Sequence, residues 1–140
     1  RPYAFVRFTK MQSNAPGQFN WTRQLTVGTV NPDYYQGKVA ILINEHSQSQ
    51  SEYTAMAFRG APKAKVIGST TAGADGNVSQ IILPGGYKTY LSGIGVFYPD
   101  KTPTQRIGII PDIEVNPTIA GITSGKDEIL EKAVQYILND

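Results

Sequence analysis

Apolar residues along this chain fall into short runs broken by Gly, Pro, Asn and Ser, the pattern of brief strands joined by turns. Tyr3-Ala4-Phe5-Val6-Arg7-Phe8 has strand composition, and Met11 to Gly17, with its Ser, Asn, Pro and Gly, reads as a loop. Phe19, Trp21, Leu25 and Val27 alternate loosely and predict a strand or extended arm over 19–27. Asn31-Pro32-Asp33 is a turn or linker before Lys38-Val39-Ala40-Ile41-Leu42-Ile43, whose apolar part reads as a buried strand. Tyr53 to Phe58 predicts a helix that begins near Ser49 and stops near Gly60, with Pro62 beyond as a normal stop. Val66-Ile67-Gly68 belongs to a second buried strand, so strand, helix and strand form a parallel βαβ unit. Val78–Leu83 and Tyr87–Leu91 flank Pro84-Gly85-Gly86 as a hairpin, and Gly93–Tyr98 is a further strand. Over Lys126–Leu138, Ile129, Leu130, Ala133, Val134 and Ile137 recur at helical spacing and predict an amphipathic helix with its stripe on the core.

Composition narrows the classes. The chain has 140 residues, enough for one modest domain, and 40% hydrophobic residues, enough for a core. The formal net charge of +2 is scattered and forms no basic stripe, so no nucleic-acid partner is expected. No apolar run approaches the length of a membrane-spanning helix. Cysteine is absent, which excludes disulfides and thiolate catalysis. The G-x-S-x-G elbow, the Walker A spacing and zinc-ligand clusters are all missing, so no metal or other cofactor is expected. Asn20-Trp21-Thr22 and Asn77-Val78-Ser79 match the glycosylation sequon, a short pattern that recurs by chance. The chain starts Arg1-Pro2-Tyr3, with neither Met nor a signal peptide, and reads as a piece of a longer protein.

The candidate chemistry sits between the central strand and the first helix, in Asn44-Glu45-His46-Ser47-Gln48-Ser49-Gln50-Ser51-Glu52. A small polar residue there meets the free N–H groups and positive end of the helix, which favour developing negative charge. Ser49-Gln50-Ser51-Glu52 also fits the capping box S-x-x-E, which satisfies orphan donors at a helix start. The two readings are compatible.

The segment resembles the nucleophile segment S-x-S-E of the C-terminal-processing or tail-specific serine peptidases, whose first serine is the nucleophile; here that is Ser49. Lys65 to Gly73 is similar to the family's next strand and glycine-bearing loop, and Gly108 to Val115 to its G-[IV]-x-P-D-[IV]-x-V signature. The resemblance spans Gly37 to Val115. It implies an α/β, crotonase-like catalytic domain of which residues 1–140 are a C-terminal, partial portion, with the N-terminal part of the domain outside them.

A serine hydroxyl needs a base. One branch of the family uses a lysine in a G-K-G segment, and aligning the glycines puts that position at Ala74, so a Ser/Lys dyad is not expected. The tricorn-like branch uses a histidine from a more N-terminal part of the protein, and this chain resembles it better on that point. His46 lies three residues before Ser49, a spacing with poor geometry for a shared hydrogen bond, and reads as a loop residue. The Gln50 N–H is one candidate oxyanion donor; the family's D-x-R-x-N-x-G-G segment, which supplies the other, is absent. The tricorn-like branch orients its network with a glutamate, for which Gln105 is the nearest match here; its other reading is an exposed loop residue. Gly73, Gly76, Gly85, Gly86, Gly93 and Gly95 could leave room for an extended peptide, but ordinary turn and bulge chemistry explains them as well. Asp112 and Glu114 read as closing a turn and facing solvent, in a structural role.

The expected function is a serine endopeptidase, with Ser49 as nucleophile and the base supplied from outside residues 1–140. The alternative is a catalytically inactive peptide-binding module with the peptidase fold. Its expected partners are a peptide or unfolded protein substrate and the remaining N-terminal part of its own chain. The resemblance implies a periplasmic or secreted setting.

Overall fold

The computed structural model describes residues 2–139 and shows a mixed α/β fold. A long first strand, β1 (Tyr3–Gln12), pairs antiparallel with β2 (Ala15–Trp21) and β3 (Leu25–Val27). The expected loop at Met11–Gly17 is therefore a hairpin: β1 runs on through Gln12, and a two-residue turn at Ser13-Asn14 leads straight into β2. Turn-forming residues give this stretch a loop-like composition because they occupy two strand ends as well as the turn.

The second sheet is parallel, in the order β4-β5-β9. Its strands are β4 (Val39–Ile43), β5 (Ala64–Gly68) and the two-residue β9 (Ile113–Glu114). Helix α1 (Gln50–Arg59) joins β4 to β5, so the expected βαβ unit is present. The register Ile43↔Gly68 brings the ends of β4 and β5 level. Gly68 is required there: its φ is +132° and an added Cβ would lie 1.9 Å from the Ile43 carbonyl oxygen. β4 is less buried than its sequence suggests, with Leu42 44% exposed, because among the described residues it pairs only with β5.

β6 (Val78–Ile82) and β7 (Lys88–Ser92) form the expected hairpin, and β8 (Ile94–Phe97) returns to pair with β1. A short helix, α2 (Ile119–Thr123), precedes α3 (Glu128–Leu138). The α3 stripe only partly reaches the core. Ile129 and Ala133 pack with Ile67, whereas Leu130, Val134 and Ile137 remain 42–49% exposed.

The main core lies between β1, α1 and β5 and contains Phe5, Val6, Ala55, Met56, Val66, Val96 and Ile109. Val6, Val66 and Ile109 are fully buried, and each stabilises the fold by about 1.5–3 kcal/mol. Phe5 meets Tyr53 edge-to-face with ring centroids 5.0 Å apart, which fixes α1 against β1. This packing sets where α1 begins, and so where Ser49 stands.

Candidate functional site

Ser49 is the N-cap of α1 and adopts φ 53°, ψ −118°. That is the conformation of the first central residue of a type II′ turn, a place normally held by glycine. A non-glycine residue held there costs on the order of 1–3 kcal/mol, and such strain persists only where the surroundings impose it. The sharp strand-to-helix turn resembles a nucleophile elbow, reached here without flanking glycines.

Glu52 imposes it. Its carboxylate is fully buried and accepts four hydrogen bonds. Oε1 receives the Thr71 hydroxyl at 2.5 Å and the Gly73 N–H at 2.9 Å. Oε2 receives the Ala74 N–H at 3.0 Å and the Ser49 N–H at 3.1 Å. Ser49 and Glu52 stand in the reciprocal arrangement of a capping box, but only the glutamate half is a hydrogen bond; the Ser49 hydroxyl makes none to the helix. The cap is carried by Glu52, and the Ser49 hydroxyl, on an exposed residue, has no hydrogen-bond partner among the described residues.

Three loops are laid side by side around this carboxylate. The Ala72 N–H donates to the Ser47 carbonyl (3.0 Å) and the Ser49 N–H to the Ala74 carbonyl (3.1 Å), joining the 44–49 loop to the 69–76 loop. On the far side the Arg106 N–H donates to Gly73 (2.7 Å), and the Ile109 N–H to the Thr71 hydroxyl (2.7 Å). Gly73 has φ +64°, and a Cβ there would meet Gly108 N at 2.9 Å, so only glycine permits this spacing. Thr71 is a residue that sequence reasoning missed, as is the reach of Glu52 beyond its cap. The S-x-x-E spacing flagged Glu52 as a cap, but nothing in the sequence announces that its carboxylate reaches the next loop.

Ser49 and Gln50 line a cleft of about 510 Å³, together with Tyr53 of α1, Lys10 of β1, Asp75 and Asn77. The Gln50 N–H has no acceptor among the described residues, and Gln50 lines this cleft. The Gln50 side chain is occupied with Thr54.

The other candidates fall elsewhere. The His46 side chain is 85% exposed beside Glu45 and does not line the cleft, in keeping with a loop residue. Gln105 is neither an exposed loop residue nor free. Its Oε1 accepts from the Val96 N–H (3.3 Å), and its Nε2 donates to the Asp75 carbonyl (2.8 Å) and the Ile94 carbonyl (3.0 Å), tying the 69–76 loop to β8. Asp112 has the structural role expected of it, though its carboxylate is less free than a solvent-facing turn residue's. It accepts from the Val66 N–H (2.8 Å) and from Arg59 (2.7 Å). Burial opposes its charge, yet the Val66 N–H and the Arg59 guanidinium outweigh that and hold its carboxyl below the usual aspartate range. Among the described residues no cluster of three or more His, Asp or Glu side chains could hold a metal ion.

The chain is similar to known peptidases in sequence and fold. A peptidase-candidate protein of known structure from Parabacteroides merdae superposes with a TM-score of 0.87 at 25% identity, over 99% of this chain and 44% of its own length. The photosystem II D1 C-terminal processing protease shares the fold, with a TM-score of 0.57 at 19% identity over 81% of this chain and 27% of its own. The nisin-resistance protein of Lactococcus lactis subsp. lactis is 28% identical over 102 residues, which are 71% of this chain and 31% of that protein. The chain therefore spans less than half the length of these relatives. The sequence profile of peptidase family S41 matches residues 4–115, from β1 through β9, and the chain belongs to that family.

Proposed function

We propose that this chain is the nucleophile-bearing portion of a serine endopeptidase. The observation that carries the proposal is Ser49: an exposed hydroxyl on a strained turn at the start of α1, unused by the helix cap, beside the unpaired Gln50 N–H. In the proposed reaction Ser49 Oγ attacks a peptide carbonyl while a base from outside residues 1–140 takes its proton, a histidine by the family resemblance. The Gln50 N–H holds the oxyanion, and water then hydrolyses the acyl-enzyme. The edge of β4, unpaired among the described residues, supports the reading of a crotonase-like catalytic domain completed by further chain. The substrate class is a peptide or unfolded protein. A secreted or periplasmic setting is proposed on the same resemblance, and fractionation of the full-length protein checks it.

The test compares the full-length protein with its Ser49→Ala variant on an unfolded protein substrate. Activity lost in the variant supports the proposal. Activity retained by the variant contradicts it. Inactivity of both favours a peptide-binding module with the peptidase fold, a reading motivated by Ala74 at the lysine position and by Gln105 being committed to loop contacts. Purified residues 1–140 alone should be inactive, and turnover by them would refute an external base.

A further inference from the structure

The cleft beside Ser49 has apolar walls and holds a lysine whose charge nothing in the described residues answers. Strand β1 runs across α1 in the opposite sense to it. The Tyr3 hydroxyl donates to the Ala57 carbonyl near the end of α1, and Phe8 stacks on Tyr53 with ring centroids 6.4 Å apart and planes 7° apart. Two residues on from Phe8 a strand has advanced about 7 Å, and four residues back from Tyr53 a helix has retreated about 6 Å. Lys10 and Ser49 therefore come out at the same level, and both line the cleft of about 510 Å³. Phe8 and Lys10 share one face of β1, because strand side chains alternate. Lys10 is opposite Asn20 of β2 on one edge and Ile94 of β8 on the other, so its backbone is fixed and only its flexible stem moves. Its ammonium is exposed and makes no hydrogen bond, ion pair or aromatic contact among the described residues. Phe8, Leu25, Tyr53 and Ile94 form the apolar walls around it. The acid that borders the cleft does not neutralise it. Asp75 is 8% exposed; its Oδ1 accepts the Gly76 N–H at 2.7 Å, and its Oδ2 is buried with no partner among the described residues. Burial pushes this carboxyl above the usual aspartate range, the Gly76 N–H opposes that, and the charge of Glu52 adds to it. Asp75 thus presents the cleft with less negative charge than an open aspartate would.

We infer that Lys10 is a specificity residue that binds a carboxylate of the peptide lying in this cleft, so that the protein prefers acidic segments. The inference rests on the proposed function, in which substrate lies against Ser49. A peptide laid there meets Lys10, whose three N–H donors have no other acceptor among the described residues. When the peptide excludes water, the apolar walls lower the local dielectric and strengthen an ion pair that would be worth little on an open surface. A neutral segment would leave the ammonium desolvated and unmatched, and a basic one would add repulsion. The carboxylate has two sources, an Asp or Glu side chain near the cleaved bond or the free C-terminus of the substrate, and the chemistry recognised is the same. Lys10 takes no part in bond making or breaking. Its contact forms in the bound substrate and the transition state alike, so its effect belongs in affinity and KM.

The experiment uses the full-length protein with Lys10→Met, Lys10→Arg and Lys10→Glu, each made with and without Ser49→Ala. Otherwise identical unstructured peptides carry Glu, Gln or Lys at successive positions around the cleaved bond, with a free or an amidated C-terminus. Affinity is read by fluorescence anisotropy on the Ser49→Ala background, and kcat/KM on the Ser49 protein. With Lys10 in place, Glu should be favoured over Gln, or the free terminus over the amide, by about 3–10-fold, a ratio that shrinks as salt is raised. The pair of peptides that shows the ratio identifies the source of the carboxylate. Lys10→Met should bring the ratio close to one, Lys10→Arg should keep it, and Lys10→Glu should turn the preference toward the Lys peptide. No carboxylate preference in the protein with Lys10 would overturn the inference, whether or not the variants fold. So would a preference that survives in Lys10→Met, or an equal loss for every peptide, which would make Lys10 merely structural. Activity surviving in Ser49→Ala sinks the nucleophile reading, an outcome separate from the ratios that test Lys10.

Discussion

The layer of loops around Glu52 and the β6–β7 hairpin are built on opposite principles. Around Glu52 a buried carboxylate is met by four donors from three segments, and glycines such as Gly73 let the backbones close to contact. The hairpin has every strand residue exposed and, among the described residues, its two strands pair only with each other, although it carries Val78, Ile81, Ile82, Tyr90 and Leu91. Polar residues are buried where precision is needed, and apolar ones are left in solvent where nothing among the described residues covers them. The rigid layer holds Ser49 in a conformation it would not adopt alone; the hairpin reaches that layer through Ser92, at the end of β7, whose hydroxyl accepts from Gln105 Nε2 at 3.4 Å.

This contrast orders the expected effects of substitution. Ser49→Ala in the full-length protein should reduce peptidase turnover by about 10⁴-fold or more while leaving the thermal midpoint near the wild type, or slightly above it as the strain changes. Glu52→Gln puts an amide N–H₂ against backbone donors and should destabilise residues 2–139 by about 2–4 kcal/mol, measured by urea unfolding. It should also slow fluorophosphonate labelling of Ser49. A Glu52→Gln variant as stable as wild type would dissolve the contrast.

Asp112→Asn weakens the Arg59 contact and should cost about 1 kcal/mol at neutral pH. Since the folded-state carboxyl lies below the ordinary aspartate range, its contribution is present above about pH 4 and is lost as pH falls through the folded value. The gap between wild type and Asp112→Asn should therefore close on acidification, and a gap that widens would contradict the assignment. Ile82→Thr in the hairpin should lie within about 0.5 kcal/mol of wild type in residues 1–140. A larger loss would mean that the hairpin packs on something in this chain after all.

How much of this was legible in the sequence follows the same division. Local periodicity and stop signals predicted α1, its βαβ setting and the hairpin at Pro84-Gly85-Gly86, because each depends on neighbours in the chain. Met11–Gly17 has a loop's composition but forms a hairpin, since a strand end rich in turn residues looks the same as a loop until its partner is known. β9 is two residues long and α2 five, too short to leave a pattern. At the site, the S-x-S-E segment pointed to Ser49 and its spacing to a cap. The contacts of Glu52 with Thr71, Gly73 and Ala74, the engagement of Gln105 and the orphan oxygen of Asp75 all arise from loops brought together by the fold. No spacing encodes them.

The most direct test of the central claim is fluorophosphonate labelling of the full-length protein, with the modified residue mapped by mass spectrometry. The account predicts an adduct on Ser49 that is absent from Ser49→Ala. Proteolysis by a protein that carries its adduct on another serine, or none at all, would contradict it.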